Sequence, residues 1–491
     1  MKRPFGLCLV SCLALGCASA RTFAVDSKVT DSRRARAVSM AIGEATDEDE
    51  LRGAVPDRLA NKKSAPREPK ESVLPNGVRL VTVTRRDFPT ISCAFVLDRG
   101  AAASAPAAAH LYAHALEGAS QRYDDKEQWE YLRYVGASLS TEAYQDGVVL
   151  TVSALTPLFH SALSRAAPMF VEPKLAGKAV DAGRTWAGAR RSSRADDARR
   201  MSHDLLFATL FPGHPYGVPL QGGPNAIETV PHDAIEQLRD RHLSARHVAV
   251  ACAGDLEHAA MAKLVERHTS VLGTKAEAPT PSLDVPALGA QKLLVIDRPG
   301  AAQSTIALGF QSPHAGHPDV VPLHVLAALS TTGLSSRLNL TVREELGATY
   351  GVRMRVTAFR HAGAITVQSA IDTAETIPAL RRLLEELGKL RTEPATPNEI
   401  ETAKIRASFE EDDDATATEL ATGLVHRILQ GRPPSPKAET EHLHALVPED
   451  VRVAAAKWLD PAKARLVIVG DASRIAKDLP ALGLGPVEIV R

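Results

Sequence analysis

The sequence predicts an α+β protein of two homologous lobes, each combining a sheet with helices. Three observations lead there. His242–Asp255 reads HLSARHVAVACAGD and Trp458–Asp471 reads WLDPAKARLVIVGD, and both run from a helix end through a small loop into a buried apolar strand that closes on Gly-Asp. The starts of the two halves also correspond. Val78-Arg79-Leu80-Val81 parallels Lys292-Leu293-Leu294-Val295, and each leads to a second strand and an Ala- or His-rich helix. Between the copies, Ala276–Gly289 is rich in Pro and Ala and reads as a linker. One matched strand is commonplace, whereas matched order along both halves marks a repeat.

Taken in order, the chain opens with an export signal. Lys2 and Arg3 precede a short apolar run, Leu7–Leu15, which is too short to span a bilayer as a mature helix. Two cleavage readings compete. Ala14-Leu15-Gly16-Cys17 resembles a bacterial lipobox, with Cys17 as the lipidated residue, and Ala18-Ser19-Ala20 fits release at a small-x-small site. The lipobox is preferred, which implies a periplasmic lipoprotein anchored to the membrane by lipid alone. Residues 1–20 are assigned to this signal and 21–73, polar and without sustained periodicity, to a flexible tether. The first lobe is placed at 74–275, the linker at 276–290 and the second lobe at 291–491. Leu74-Pro75-Asn76-Gly77 supplies the opening turn, Val78–Val83 a strand, Asp87-Phe88-Pro89 a break and Ile91–Leu97 a second strand. Leu380–Leu390 is an amphipathic helix, and the acidic run Glu410–Asp414 reads as a solvated helix start.

Composition narrows the function. The 491 residues are 44% hydrophobic and 24% charged, with 58 Lys+Arg against 58 Asp+Glu. That balance gives no support to a nucleic-acid partner. Cys8, Cys12 and Cys17 fall in the signal, so only Cys93 and Cys252 remain, both in apolar strand-like runs, and they are expected to be buried core thiols rather than a disulfide framework. No phosphate-binding loop, dinucleotide fingerprint or Ser/Cys nucleophile motif occurs.

The first chemical constellation is Ala109–Gly118, AHLYAHALEG, with Ser104 and Pro106 suited to a helix start and Gly118 to its end. On a helix, His110 and His114 stand one turn apart on one face, the spacing two imidazoles need to hold one metal ion. Here the chain resembles the pitrilysin/insulinase metallopeptidases, whose H-x-x-E-H helix follows an N-terminal hairpin. The resemblance implies two zinc-binding histidines, a glutamate general base between them and a third, glutamate ligand from a later helix. In this chain the base position is Ala113, and losing a general base costs about two to four orders of magnitude in rate. The window for the third ligand, Lys178–Asp197, contains no Glu, and Arg190 and Arg191 fall near the expected place. No metal is therefore expected here, and zinc is expected in a partner. His110 and His114 are vestigial candidates, with Glu117, one turn beyond His114, and Asp181, Asp196 or Asp197 as substitutes in a remodelled site.

The second constellation is Thr332–Val352, TGLSSRLNLTVREELGATYGV, which resembles the family's second signature. The resemblance assigns Arg343 and Tyr350 to peptide binding and to charge stabilisation at the scissile carbonyl of the opposite lobe, work that suits two hydrogen-bond donors. In two-chain bacterial members one chain brings the zinc and the other this Arg/Tyr pair. FPGHPYG, Phe211–Gly217, matches a further family segment, and physically it reads as a turn-rich loop.

The resemblance runs from about Leu74 to Asp471 and implies a metalloprotease-like clamp of two largely antiparallel sheets with helices. It implies a non-catalytic subunit of a zinc metallopeptidase, whose partners are a zinc-bearing homologous subunit and a peptide. The alternatives are a structural or peptide-binding family member without a catalytic role, and an autonomous peptidase with a remodelled metal site.

Overall fold

The computed structural model describes residues 68–192, 197–223, 225–274, 283–289, 292–333, 336–407 and 415–490. The export signal with Cys17, most of the polar tether and Glu410–Asp414 lie outside the described residues, as do the side chains of Arg190 and Arg191.

Two six-stranded sheets organise the described residues. The first contains β1 (Lys70–Val73), β2 (Arg79–Thr84), β3 (Thr90–Leu97), β4 (Ser138–Ala143), β5 (Val148–Leu155) and β6 (Val248–Gly254), in the order β1-β2-β6-β3-β5-β4. The second contains β7 (Lys292–Asp297), β8 (Gln303–Ser312), β9 (Arg353–Ala358), β10 (Gly363–Asp372), β11 (Arg465–Gly470) and β12 (Val487–Val490), in the order β12-β7-β11-β8-β10-β9. The repeated segments of the sequence become matching strands: β2 and β6 pair parallel in one sheet, β7 and β11 in the other. Most other neighbours are antiparallel, so the predicted α+β class with two largely antiparallel lobes holds. One strand differs from expectation. Lys70–Val73, within the stretch assigned to the tether, pairs with β2 as an edge. Four residues with Lys and Glu among them carry no alternation from which to read a strand.

The cysteine expectation is corrected. Cys93 and Cys252 form a disulfide, with Cα atoms 4.1 Å apart. Register is the cause. β6 inserts between β2 and β3, and Cys93 lies directly opposite Cys252 on the antiparallel β3–β6 pair, both side chains in the lobe core.

Both faces of each sheet are covered. Five helices bear on the site: α1 (Ala108–Ala115), α2 (Gly177–Ser192), α3 (Ala198–Leu210), α4 (Val320–Thr331) and α5 (Ala417–Leu429). The cores within the lobes form on one face of each sheet. The other faces exchange helices. From the second lobe, α5 lays Leu420, Leu424, Val425, Ile428 and Leu429 on Val81, Val83, Ala94, Val96 and Val149 of the first sheet. From the first lobe, α3 lays Leu206, Phe207 and Leu210 on Leu294, Ala307, Ala364 and Val467 of the second. Each such side chain contributes about 1.5–3 kcal/mol on burial. Gly309 permits the close approach of α3, since a Cβ there would lie 2.9 Å from the ends of Leu206 and Leu210. The described part of the linker is fastened down. Leu283, Val285 and Leu288 pack against the same cluster as α3, and Gln311 Nε2 donates to the Pro286 carbonyl at 3.0 Å.

Candidate functional site

Helix α1 starts later than expected. Ala107, with φ at 66°, precedes it in the left-handed region, and no side chain caps it; Ser104 Oγ instead bonds the Ala105 carbonyl. Its buried face, with Ala108, Ala109, Leu111, Tyr112 and Ala115, enters the first core. That burial turns His110 and His114 together towards a cleft of about 540 Å³, lined also by Ala113, Glu117, Thr141, Glu142, Trp186, Arg200 and Gln221. The imidazole centroids lie 5.8 Å apart.

Helix α2, the element expected to bring the third ligand, brings Trp186 instead. Its indole meets His114 edge-on at 4.3 Å and His110 at 6.4 Å. The two helices approach closely because Gly183 has no side chain, and a Cβ there would sit 3.0 Å from that of His114. Glu117 lines the same cleft, but its carboxylate accepts from the Thr141 hydroxyl at 2.8 Å. Asp181 is exposed beside Arg184, Asp197 caps α3 through the Arg199 and Arg200 amides, and Asp196 lies outside the described residues. Among the described residues, no three His, Cys, Asp or Glu side chains converge as a metal would need. The donor set does not fit a catalytic zinc: two imidazoles against an indole, a methyl in place of the base, and a glutamate engaged elsewhere.

One wall of the cleft is β4, the last strand of the first sheet. Its exposure alternates residue by residue, and among the described residues no hydrogen bond reaches the outward backbone of Ser138–Ala143. The corresponding edge of the second sheet is closed. Val352 N donates to Asn339 Oδ1 at 2.8 Å, Met354 N to Thr331 Oγ1 at 3.0 Å, and the Ala358 carbonyl accepts from Gln430 Nε2 at 3.0 Å. Among the described residues, the first sheet thus ends beside the histidines in an open strand, whereas the matching strand of the second is bonded at Val352, Met354 and Ala358.

Arg343 and Tyr350 sit on the second lobe, and neither lines the cleft. A short helical turn, Arg337–Asn339, leads into a wider π-helical stretch, Leu340–Glu345, that carries Arg343. Asn339 is buried, donates to the Thr331 carbonyl at the end of α4, and accepts from Val352 N, which anchors the loop that bears Tyr350. Tyr350 is 95% exposed. The Arg343 guanidinium lies 5.7 Å from its ring centre and 3.3 Å from Glu344.

Two bonds of 2.8 Å from Arg337 to Glu399 hold this motif to the neighbouring helix. Arg337 brings the Glu399 carboxyl down to about 2 from its ordinary 4.5, against the opposing effect of burial. A carboxylate with a lowered pKa stabilises the fold fully above its ordinary value, and that stability disappears as pH falls towards the lowered one. Acid unfolding of the chain followed by circular dichroism is therefore expected to show a loss between about pH 5 and pH 2, and Arg337→Ala should flatten that slope. An unchanged acid profile in the variant would remove this pair from the account.

Comparison with known proteins agrees with this architecture. The family model described as Insulinase (Peptidase family M16) matches residues 80–223, and the one described as Peptidase M16 inactive domain matches residues 229–406. An uncharacterized zinc protease of Mycobacterium tuberculosis is 26% identical over 325 residues, 64% of this chain and 73% of that protein. One of Mycobacterium leprae is 24% identical over 341 residues, 68% and 76% of the two chains. The crystal structure of a peptidase M16 inactive domain from Pseudomonas fluorescens superposes with a TM-score of 0.76 at 18% identity, covering 82% of this chain and 98% of that one. A protease from Helicobacter pylori gives 0.76, 18%, 82% and 99%. The chain belongs to the pitrilysin/insulinase family of metallopeptidases, peptidase family M16.

The sequence points to His110, His114, Glu117, Arg343 and Tyr350. The fold brings the first three to one cleft and keeps the last two on the other lobe. Trp186 and the open β4 edge escape sequence reasoning. Trp186 is one residue of a helix whose Ala/Gly/Arg-rich sequence does not show which face it presents, and an open edge is a property of sheet order.

Proposed function

We propose that this chain is a non-catalytic subunit of a zinc metallopeptidase, helping to hold the peptide and lending Arg343 and Tyr350 to the active site of a zinc-bearing homologue. One observation carries the reading. The helix of the zinc type has lost its base and packs its imidazoles on Trp186, while Tyr350 stands exposed on a well-anchored loop with the half-buried Arg343 beside its ring. A tyrosine that is 95% exposed adds almost nothing to folding, so its value lies in what it meets. The open β4 edge supports peptide holding, because an extended segment can add there as a further strand. That edge equally favours the second reading, a peptide-binding member with no part in catalysis.

Export belongs to the same proposal, with Cys17 as the lipidated residue; the Cys93–Cys252 disulfide supports an oxidising compartment. The mass of the mature N-terminus distinguishes lipidation at Cys17 from release after Ala20.

The purified chain alone should retain little zinc after dialysis and cleave no peptide, and activity should appear on mixing with the zinc-bearing homologue. Stoichiometric zinc together with chelator-sensitive cleavage by the chain alone would establish the remodelled enzyme instead. A stable assembly with no zinc peptidase in it would favour the peptide-binding reading.

A further inference from the structure

The Phe211–Gly217 loop, conspicuous in the sequence, has no part in the reading above. We propose that its Tyr216, together with Asp146 and Arg360, forms a latch between the lobes that holds the β4–β5 hairpin and so positions the open β4 edge for peptide. The inference rests on the reading that this chain holds peptide.

The latch joins corresponding hairpins of the two lobes at their tips. β4 and β5 are connected through Tyr144–Gly147, closed by the Tyr144 amide donating to the Gly147 carbonyl at 2.7 Å, and Asp146 lies in this turn, 8% exposed. β9 and β10 are connected through Phe359–Ala362, closed the same way at 2.7 Å, and Arg360 lies in that turn. Asp146 accepts at both oxygens, from the Tyr216 hydroxyl at 2.6 Å and from the Arg360 amide at 3.1 Å. Tyr216 is fully buried against Phe359, and its oxygen in turn accepts from His361 N at 3.3 Å. The Arg360 guanidinium donates to the carbonyls of Ile428 and Leu429 at the end of α5, and its NH1 lies 3.3 Å from Asp98. Asp98 is bonded at its other oxygen to His247 Nδ1 at 3.1 Å. His214 braces the loop, accepting from Tyr216 N and bonding the Leu283 carbonyl through Nε2. Gln145 adds a bond to the Val218 carbonyl at 2.9 Å.

An edge strand is secured on one side only, and its free side frays unless its turn is fixed. On β4 the inner side is held by β5, and the turn is held by this buried network. A carboxylate so enclosed tolerates no loss of its donors, because an unpartnered buried acceptor is costly. The latch thus keeps β4 straight before any peptide arrives, which lowers the ordering cost of binding. Tyr216, Asp146 and Arg360 touch no substrate and act as positioning residues.

The test uses the full chain. In Tyr216→Phe and Asp146→Ala, amides of residues 138–155 should exchange hydrogen about tenfold faster, with β3 and β6 unchanged. The dissociation constant for a fluorescein-labelled unstructured peptide should rise about threefold or more. Tyr216→Phe keeps the ring packing, so it retains the fold if the aspartate variant does not. Thr376→Val, which removes a buried hydroxyl bond to Ser304 at the end of the β8–β10 pair opposite the Phe359–Ala362 turn, is the structural control and should change neither reading. Unchanged exchange over 138–155, a uniform rise across the chain, or peptide affinity that falls equally in the control would overturn the latch. So would a parent chain that binds no peptide. The helper reading fails separately, on enzyme mixtures carrying changes at Tyr350 and Arg343.

Discussion

Tyr350→Phe is expected to leave this chain folded and as stable as the parent while cutting peptide hydrolysis by the mixed enzyme about 10²–10³-fold. The two halves of that result come from different facts. Stability is indifferent because the phenol is almost wholly in solvent and its hydroxyl has no bond among the described residues. Activity is sensitive because a preorganised donor aimed at a developing oxyanion has its effect only in the transition state, so losing it lowers kcat rather than substrate affinity. Arg343→Ala should act in the same direction and also raise KM, since a guanidinium holds the ground-state peptide as well. Its only ion pair within the described residues is an exposed contact with Glu344, so the fold should again be unaffected. Steady-state kinetics of the reconstituted pair, with thermal melts of this chain alone, separate the two effects. If both variant mixtures keep full activity, the helper assignment is wrong.

The second large effect concerns stability. The Cys93–Cys252 bond closes a loop across a sequence separation of 159, which in the chain-entropy account stabilises the fold by about 3–5 kcal/mol. Replacing both cysteines by alanine should lower the urea midpoint and steepen the slope, because the unlinked denatured chain is more expanded, and dithiothreitol should do the same to the parent. Both sulfurs are buried in the first core, so reduction should be slow under native conditions and speed up in mild denaturant. Equal midpoints for oxidised and reduced parent would refute a structural role.

Local pattern and pairing differ in how far the sequence reveals them. The repeated apolar strands, the one-turn spacing of His110 and His114, the missing base at Ala113 and the Arg343/Tyr350 signature are all contained within short stretches, and they can be read directly. The features that cannot be read this way join residues far apart. Cys93 meets Cys252 only because β6 inserts between β2 and β3. Trp186 covers the imidazoles only because α1 and α2 pack closely at Gly183. His214 reads as part of a plain turn, and its ring does brace that turn, but the destination of Tyr216 depends on how two lobes dock. Asn339 is inconspicuous within the second motif, since a buried asparagine shows its role only when its carbonyl and amide find Val352 and Thr331.

The crossed placement of α3 and α5 has a consequence for the integrity of the molecule. Each half carries the cover that the other half's sheet requires, so neither is a self-sufficient module. A nick between residues 275 and 290 would cut the chain without separating its parts, and a polypeptide ending there would leave an uncovered greasy sheet looking for its missing helix. The duplication visible in the sequence has become a mutual dependence, in which two similar halves survive only as a pair.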